Sequence, residues 1–223
     1  MTALGSIVAL LLVVSPLRVT AAPVPTPAPE PIGPDAVWIP DPGFMANVHA
    51  ACDRDARPFG DCFLAEMEKA GASPAALAFA RRTGNQGFMT AFHETGPVDI
   101  AWAEYPYRAN ENEVCLLVNG EPPWIDVDDS SRLDLRALQE NRVYAQIKVQ
   151  HPGVTVFPGG RAGARSPQAV RLNKGGQRVA VGYVLRDGCH ACAVVGVVLF
   201  GFDFDADGRF LGTRLMSVRA KPS

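Results

Sequence analysis

Apolar side chains between residues 41 and 84 recur three or four positions apart, which is the spacing of amphipathic helices. Asp41-Pro42 and Ser73-Pro74 are start signals for a first and a third helix, and Asp61 is placed to cap the second. The expected buried stripes are Phe44, Val48 and Cys52; Phe63, Leu64, Met67 and Ala70; and Ala76, Leu77 and Ala80. The pattern predicts a helical hairpin and a third helix over residues 44–84.

From Gly87 onward the pattern changes to alternation, which indicates β-strands. Residues 87–128 predict a β-meander that opens with a hairpin and contains the turn signal Asn119-Gly120. A short helical stretch over 131–140 separates this meander from a C-terminal antiparallel sheet over 142–218. The predicted strands cover residues 88–94, 98–105, 113–118, 124–127, 142–149, 177–186, 193–204 and 209–218.

Helices followed by strands are typical of an α+β protein. We expect the N-terminal helical hairpin and the third helix to pack on one or more antiparallel β-sheets, in a single compact domain over residues 44–223. Residues 152–176 are rich in Gly, Pro and Arg, and predict an exposed loop with room for one edge strand.

The N-terminal region predicts export. Residues 7–14 form a short apolar run, and the small residues at 20–22 resemble a processing site, so we interpret residues 1–22 as a signal peptide. The run is shorter than the roughly 20 apolar residues of a membrane span, although an uncleaved N-terminal anchor is the alternative. Residues 23–43 contain eight prolines and predict an extended proline-rich linker. The mature chain is then expected in the periplasm or outside the cell, without a membrane span.

The charge balance narrows the classes of partner. The chain has 21 Lys and Arg against 23 Asp and Glu, a formal net charge of −2. Binders of nucleic acid or of anionic membranes need a dense basic face to displace counterions from phosphates. The charge balance therefore argues against both classes, and leaves a protein or an envelope component as the expected partner.

The five cysteines fit an oxidising compartment. Cys52 ends the first predicted helix and Cys62 begins the second, so a disulfide between them would join the helical hairpin at its corner. Cys189 and Cys192 form the second pair. Cys115 lies in the apolar run 114–118 and is the expected free thiol.

The motif Cys189-His190-Ala191-Cys192 allows more than one reading. A structural disulfide at a hairpin end is one, and a redox-active or metal-binding site formed by Cys189, His190 and Cys192 is the other. The predicted strands on both sides offer no helix dipole to stabilise a thiolate. Zinc would need further ligands, which only a distant residue such as His93 or His151 supplies.

Asp203, Asp205 and Asp207, followed by Gly208, resemble the first half of a calcium loop. The twelfth position of that loop is Arg214, where a bidentate Glu is required. A tight hairpin turn explains the same residues, since Asp and Gly tolerate positive φ angles.

No nucleophile elbow, phosphate-binding loop or dinucleotide fingerprint occurs in the sequence. We therefore expect an exported, disulfide-stabilised binding or envelope-associated protein without catalytic activity and without a cofactor. The alternative is a thiol-disulfide redox or metal-binding protein that uses Cys189 and Cys192. A hydrolase that uses His93 or His151 stays open, without a spacing that favours it.

Overall fold

The computed structural model describes residues 30–109, 112–159 and 167–221. The expected signal peptide 1–22 and the first part of the expected linker, residues 23–29, lie outside these ranges. The described chain is an α+β domain with helices packed on two antiparallel sheets, as predicted. The helices are α1 (Phe44–Cys52), α2 (Phe59–Lys69), α3 (Pro74–Arg82), α4 (Leu135–Gln139) and α5 (Arg142–Gln150).

The strands form a four-stranded and a five-stranded sheet. The first sheet has the order β1-β2-β3-β4, with β1 (Phe88–His93), β2 (Asp99–Glu104), β3 (Glu113–Val118) and β4 (Trp124–Asp126). The second has the order β5-β7-β8-β9, with β6 also paired to β7. Its strands are β5 (Val154–Pro158), β6 (Gln168–Arg171), β7 (Gln177–Asp187), β8 (Val194–Phe204) and β9 (Phe210–Ala220).

The domain has three layers. The main core lies between the inner faces of the two sheets, where Trp102 and Leu117 of one sheet belong to the same cluster as Tyr183 and Phe200 of the other. The opposite face of the four-stranded sheet packs on Phe79 of α3. Alternating side chains of the four-stranded sheet thus fill two different cores, which is why its central strands are apolar on both faces.

A buried amide joins the two sheets. Gln177, at the start of β7, is 1% exposed, and its Nε2 donates to the carbonyl of Val98 at 2.8 Å and to Oγ1 of Thr95 at 3.0 Å. Its Oε1 accepts from the backbone N–H of Val98 at 2.9 Å. A polar group in a core must be hydrogen-bonded, and here its partners lie on the loop before β2.

Residues 30–43 are not an extended linker, contrary to the prediction. Ile32 and Ala36 are buried against the four-stranded sheet. The Ile32 N–H donates to Oδ1 of Asn119 at 2.7 Å, and Nδ2 of Asn119 donates to the Ile32 carbonyl at 2.8 Å. The Trp38 N–H donates to the carbonyl of Met89 at 2.9 Å. Proline content predicted an exposed spacer, but the apolar residues between the prolines are what pack this segment into the domain.

The predicted strand 142–149 is helix α5. Asn141 caps this helix, with its Oδ1 accepting from Val143 N at 2.9 Å and Tyr144 N at 3.2 Å. Tyr144 and Ile147, three residues apart, face the core, while Val149 is 82% exposed. The helix expected over 131–140 is a 3₁₀ turn at Ser130–Arg132 followed by α4.

Smaller differences concern helix starts and the loop after α5. Gly43, not Asp41, is the N-cap of α1, and α2 begins at Phe59, so Asp61 lies inside its first turn. The loop 152–176 contains two short strands instead of one. Strands β5 and β6 pair with consecutive parts of the same side of β7 and so form one interrupted edge strand.

None of the helices in the described ranges is long and apolar enough to cross a membrane.

Candidate functional site

The first predicted disulfide joins α1 to α2. Cys52 and Cys62 are bonded, with Cα atoms 5.7 Å apart, and both side chains are buried in the helical core. Cys115 on β3 is unpaired and 3% exposed, and burial raises the pKa of its thiol far above the usual range. An uncharged thiol in this position packs as a small apolar side chain.

The second disulfide closes the tip of the β7–β8 hairpin. Cys189 and Cys192 are bonded, and the Cys192 N–H donates to the Cys189 carbonyl at 3.0 Å in a tight turn. Cys189 is exposed. Strands flank this turn on both sides, so neither cysteine lies at a helix N-terminus, where a dipole would stabilise a thiolate. The Arg186 guanidinium donates to the Cys192 carbonyl at 2.8 Å and places a positive charge beside the motif.

The histidines do not gather around this motif. His190 packs its ring edge-on against Phe157, with centroids 5.7 Å apart. His151 contacts Asp187 instead, at 2.9 Å between Nδ1 and Oδ2, and His93 ends β1 of the other sheet. Within residues 30–109, 112–159 and 167–221, no group of three or more His, Cys, Asp or Glu side chains is arranged to hold a metal ion.

The Asp203 to Asp207 segment is built as a hairpin turn. Asp203 forms a two-pronged ion pair with Arg178, at 2.5 and 2.7 Å. The Asp205 Oδ1 accepts from the backbone N–H groups of Asp207 and Arg209, at 3.0 and 2.9 Å, and Gly208 has a φ of +79°. These contacts support the hairpin interpretation over the calcium loop.

An acidic group lies at the open end of the four-stranded sheet. Glu104 and Glu113 are direct cross-strand neighbours, and burial followed by the Glu113 charge raises the pKa of Glu104. Burial also raises the pKa of Asp126, whose Oδ1 accepts from the Asp128 N–H at 2.9 Å. Arg108 is 4.0 Å from Asp126.

The feature that sequence reasoning missed is an aromatic groove of about 350 Å³. Three segments that are distant in the chain form it: the start of α2, the turn after α3 and the segment after β2. We call it the aromatic groove, and its lining residues are Phe59, Gly60, Gly84, Asn85, Gln86, Tyr105, Tyr107 and Arg108.

Tyr107 is the centre of the groove. Its ring is held edge-on by Phe59, His49 and Phe63, at centroid distances of 4.3, 5.4 and 5.8 Å. Its hydroxyl is buried and has no hydrogen-bond partner among the described residues, and burial raises its pKa to about 12. Buried hydroxyls normally have partners, so this one is an unsatisfied polar atom of a residue that lines the groove.

The rest of the groove is shaped by close backbone approach. A Cβ on Gly60 would lie 3.1 Å from the Cβ of Asn85, so glycine lets α2 approach the turn after α3. Asn85 takes a φ of +60° and donates to Asp61 at 3.2 Å. Arg108 stacks its guanidinium 3.7 Å from the centre of the Tyr105 ring, so its N–H groups project from a fixed plane.

The Cys52–Cys62 disulfide lies directly behind this groove. Cys62 is three residues beyond Phe59 on α2, and His49, which contacts Tyr107, is three residues before Cys52 on α1. The bond therefore fixes the two helices that hold the Tyr107 ring. The sequence signal was the aromatic and basic run Tyr105-Pro106-Tyr107-Arg108, which is too short to identify a site alone.

No family model, no curated protein and no solved structure matches this chain.

Proposed function

We propose that this protein is an exported, disulfide-stabilised binding protein without catalytic activity, and that the aromatic groove binds a saccharide. The observation that carries the proposal is an open groove walled by the rings of Phe59, Tyr105 and Tyr107, together with a Tyr107 hydroxyl that has no hydrogen-bond partner among the described residues. Ligand sites are mostly apolar concavities in which a few placed polar groups set orientation.

The chemistry of the groove favours a saccharide. A sugar ring has an apolar face of C–H groups, which stacks on an aromatic ring, and a rim of hydroxyls. The amides of Asn85 and Gln86 and the guanidinium of Arg108 offer planar donors and acceptors for those hydroxyls. The volume of about 350 Å³ suits a short oligosaccharide segment.

Export is supported by the cysteine chemistry. Two disulfides, one of them at an exposed hairpin tip, persist in oxidising compartments and are rare in a reducing cytosol. The sequence of residues 1–22 points to the same destination. A periplasmic or secreted location would also place the groove among envelope polysaccharides.

Titration calorimetry with a panel of oligosaccharides tests the groove. The probes are tetramers of N-acetylglucosamine, of β-1,4-glucose and of α-1,4-glucose. We expect millimolar or tighter binding of at least one tetramer, and a loss of about tenfold or more in Phe59→Ala, because an aromatic contact is worth about 1.5 kcal/mol. Leu135→Ala, at a similarly exposed apolar residue on α4, is the matched control and should bind normally.

Tyr107→Phe separates hydrogen bonding from packing. It keeps the ring and removes only the hydroxyl, so it should fold normally and bind the saccharide several-fold more weakly. If none of the three tetramers binds the folded wild-type chain at millimolar concentration, or if Phe59→Ala binds as tightly as wild type, the saccharide proposal is wrong.

A thiol-disulfide exchange function is the second candidate. It is favoured by the exposure of Cys189 and by the Arg186 charge at Cys192, since a nearby cation stabilises a thiolate. Titration of the folded protein against glutathione buffers distinguishes a structural Cys189–Cys192 disulfide from one that exchanges. A structural disulfide should resist reduction at cytosolic glutathione potentials, whereas an exchanging pair should be reduced there.

A further inference from the structure

The five-stranded sheet has one face that no described element covers. Phe200, Phe202 and Tyr183 point into the main core, so the residues that alternate with them on β7 and β8 point outward. On β9, Leu215 and Val218 pack against the main core and so identify the inward side of that strand. We call the opposite side the outer face, and it lies on the other side of the molecule from the helices and the aromatic groove.

The centre of the outer face is apolar. The pairs Phe157–Val184 and Val184–Val197 are in register across three neighbouring strands, and Gly182 pairs with Leu199. Val197, the fourth residue of the central strand β8, is 41% exposed. Val184 is only 5% exposed between these neighbours, so Val197 is the side chain through which the apolar centre reaches solvent.

Basic residues surround this centre. The outward arginines are Arg178, Arg186, Arg214 and Arg219. Asp203 is the single acidic residue at an outward position of β7, β8 and β9 in the described chain, and it is already paired with Arg178. The chain has a net charge of −2, yet the register places four of its 21 Lys and Arg on this face, against one acidic residue.

We propose that the outer face docks on the surface of an anionic lipid bilayer. The apolar centre would contact the boundary between headgroups and acyl chains, and the surrounding guanidiniums would bind lipid phosphates, which they match with paired N–H donors. Arg178 and Arg186 already have partners at Asp203 and the Cys192 carbonyl. Arg214 also faces Asp203, at 3.9 Å between Nε and Oδ2, but its side chain is 64% exposed, and Arg219 is exposed as well, so docking depends mainly on these two arginines.

The charge pattern argues against a second copy of this chain as the occupant. Two outer faces packed on each other would bring the arginine clusters of both copies together around an apolar centre, and like charges oppose such contacts. A bilayer offers the opposite charge together with a flat apolar boundary. The proposal goes beyond saccharide binding and does not depend on it.

Vesicle co-sedimentation of the full chain tests the proposal. The probes are vesicles of phosphatidylcholine and vesicles of phosphatidylcholine mixed with phosphatidylglycerol. The readout is the binding to anionic vesicles in excess of that to neutral ones, because the uncharged apolar run at residues 7–14 would contribute equally to both. We expect this excess to be large at low salt and to fall as salt rises.

Charge variants locate the binding. A basic residue near an anionic surface is worth about 1 kcal/mol, or about fivefold in affinity, so Arg214→Glu with Arg219→Glu should weaken the excess binding about 25-fold or more. Val197→Asp should also weaken it. The matched controls are Arg81→Glu on α3 and Val149→Asp on α5, both exposed and away from the outer face, and they should bind as wild type does.

Three results would overturn the proposal. The first is equal binding to neutral and anionic vesicles. The second is excess binding that the folded Arg214→Glu/Arg219→Glu variant retains in full, or that Arg81→Glu weakens as strongly as this variant does. The third is a dimer in light scattering that Val197→Asp dissociates, which would assign the outer face to a second copy. Thermal melting of each variant confirms that the exposed substitutions leave the fold intact.

Discussion

Single side chains link parts of this fold that the chain order separates. Gln177 joins the two sheets, Asn119 holds the N-terminal segment, and Tyr107 fills the space between the helices and the end of β2. No spacing in the sequence marks these roles, because each depends on a partner far along the chain. Sequence reasoning placed the cysteines correctly, since they constrain one another, but it passed over the buried amide and the groove tyrosine.

Replacement of Gln177 by Leu should lower the free energy of unfolding by about 2–4 kcal/mol. The reason is that the buried N–H and carbonyl of Val98 lose their side-chain partner, and an unsatisfied buried polar group costs about 1–3 kcal/mol. Urea denaturation measures the change. Gln168→Leu, at an exposed position on β6, should alter stability by less than about 0.5 kcal/mol. Equal effects of the two substitutions would contradict the role of the amide.

The raised pKa of Asp126 predicts a pH effect. The folded state holds the carboxyl proton more tightly than the unfolded chain, so this group makes the free energy of unfolding fall as the pH rises from about 4 through the raised pKa. Asp126→Asn removes the effect, and should stabilise the protein more, relative to wild type, at about pH 7 than at about pH 3.

Asp129 provides a control of opposite sign. The bond to Ser131 lowers the pKa of Asp129, so its contribution is present above about pH 4 and is lost as the pH falls through the lowered pKa. Asp129→Asn should therefore be more destabilising at neutral pH than in acid. Chemical denaturation at both pH values measures how far each variant's free energy of unfolding differs from that of wild type. If this difference changes with pH in the same direction for both variants, this account is wrong.

Among the helices and strands, a segment whose apolar residues fit one repeat was predicted correctly. A segment whose apolar residues fit both a helical and a strand repeat was not. Strand β3 agrees with its predicted bounds because residues 114–118 form an unbroken apolar run. In α5, the apolar residues Val143, Ile147 and Val149 sit at odd positions and imitate a strand. The segment is a helix because Asn141 caps it and because Tyr144 and Ile147 both face the core. The helix exposes Val149 at little cost, since only one of its sides packs on the core.

Removal of the Cys52–Cys62 disulfide by Ser substitutions should cost about 2–3 kcal/mol, since the bond closes a ten-residue separation in the unfolded chain. Hydrogen exchange should show the lost protection in α1 and α2, with the β7–β8 hairpin unchanged. Saccharide affinity should fall in parallel, because these helices hold the Tyr107 ring. Serine substitution of Cys189 and Cys192 is the control and should leave α1 and α2 protected.

At the scale of the whole molecule, composition does not show how charge is distributed over the surface. The near balance of charges argued against an anionic surface, but strand register sorts four arginines onto one side of one sheet. Likewise, the aromatic groove needs three chain segments brought together by the final packing. The fold class followed from local patterns, whereas both surfaces depend on tertiary arrangement, which local patterns do not specify.

Intact-mass measurement tests the cysteine framework. Reduction should add two hydrogens per disulfide, four in all, and should raise the number of alkylated thiols from one to five in denaturant. Three or more reactive thiols in the denatured, unreduced protein would refute the pairing.

N-terminal sequencing of protein recovered outside the cytosol tests the export prediction. The mature chain should begin at Pro23, directly after the small residues 20–22. Recovery of the chain only from the cytosol, beginning at Met1 and with reduced cysteines, would contradict it.

The free thiol between the two sheets can report how often the sheets separate. Cys115 faces the main core and is 3% exposed, so a labelling reagent reaches it only when the two layers separate. Under native conditions its modification rate should equal the reagent's rate on an open chain multiplied by the fraction of time the layers are apart. Timing that one reaction would report the energy of opening, without denaturant and without any engineered probe.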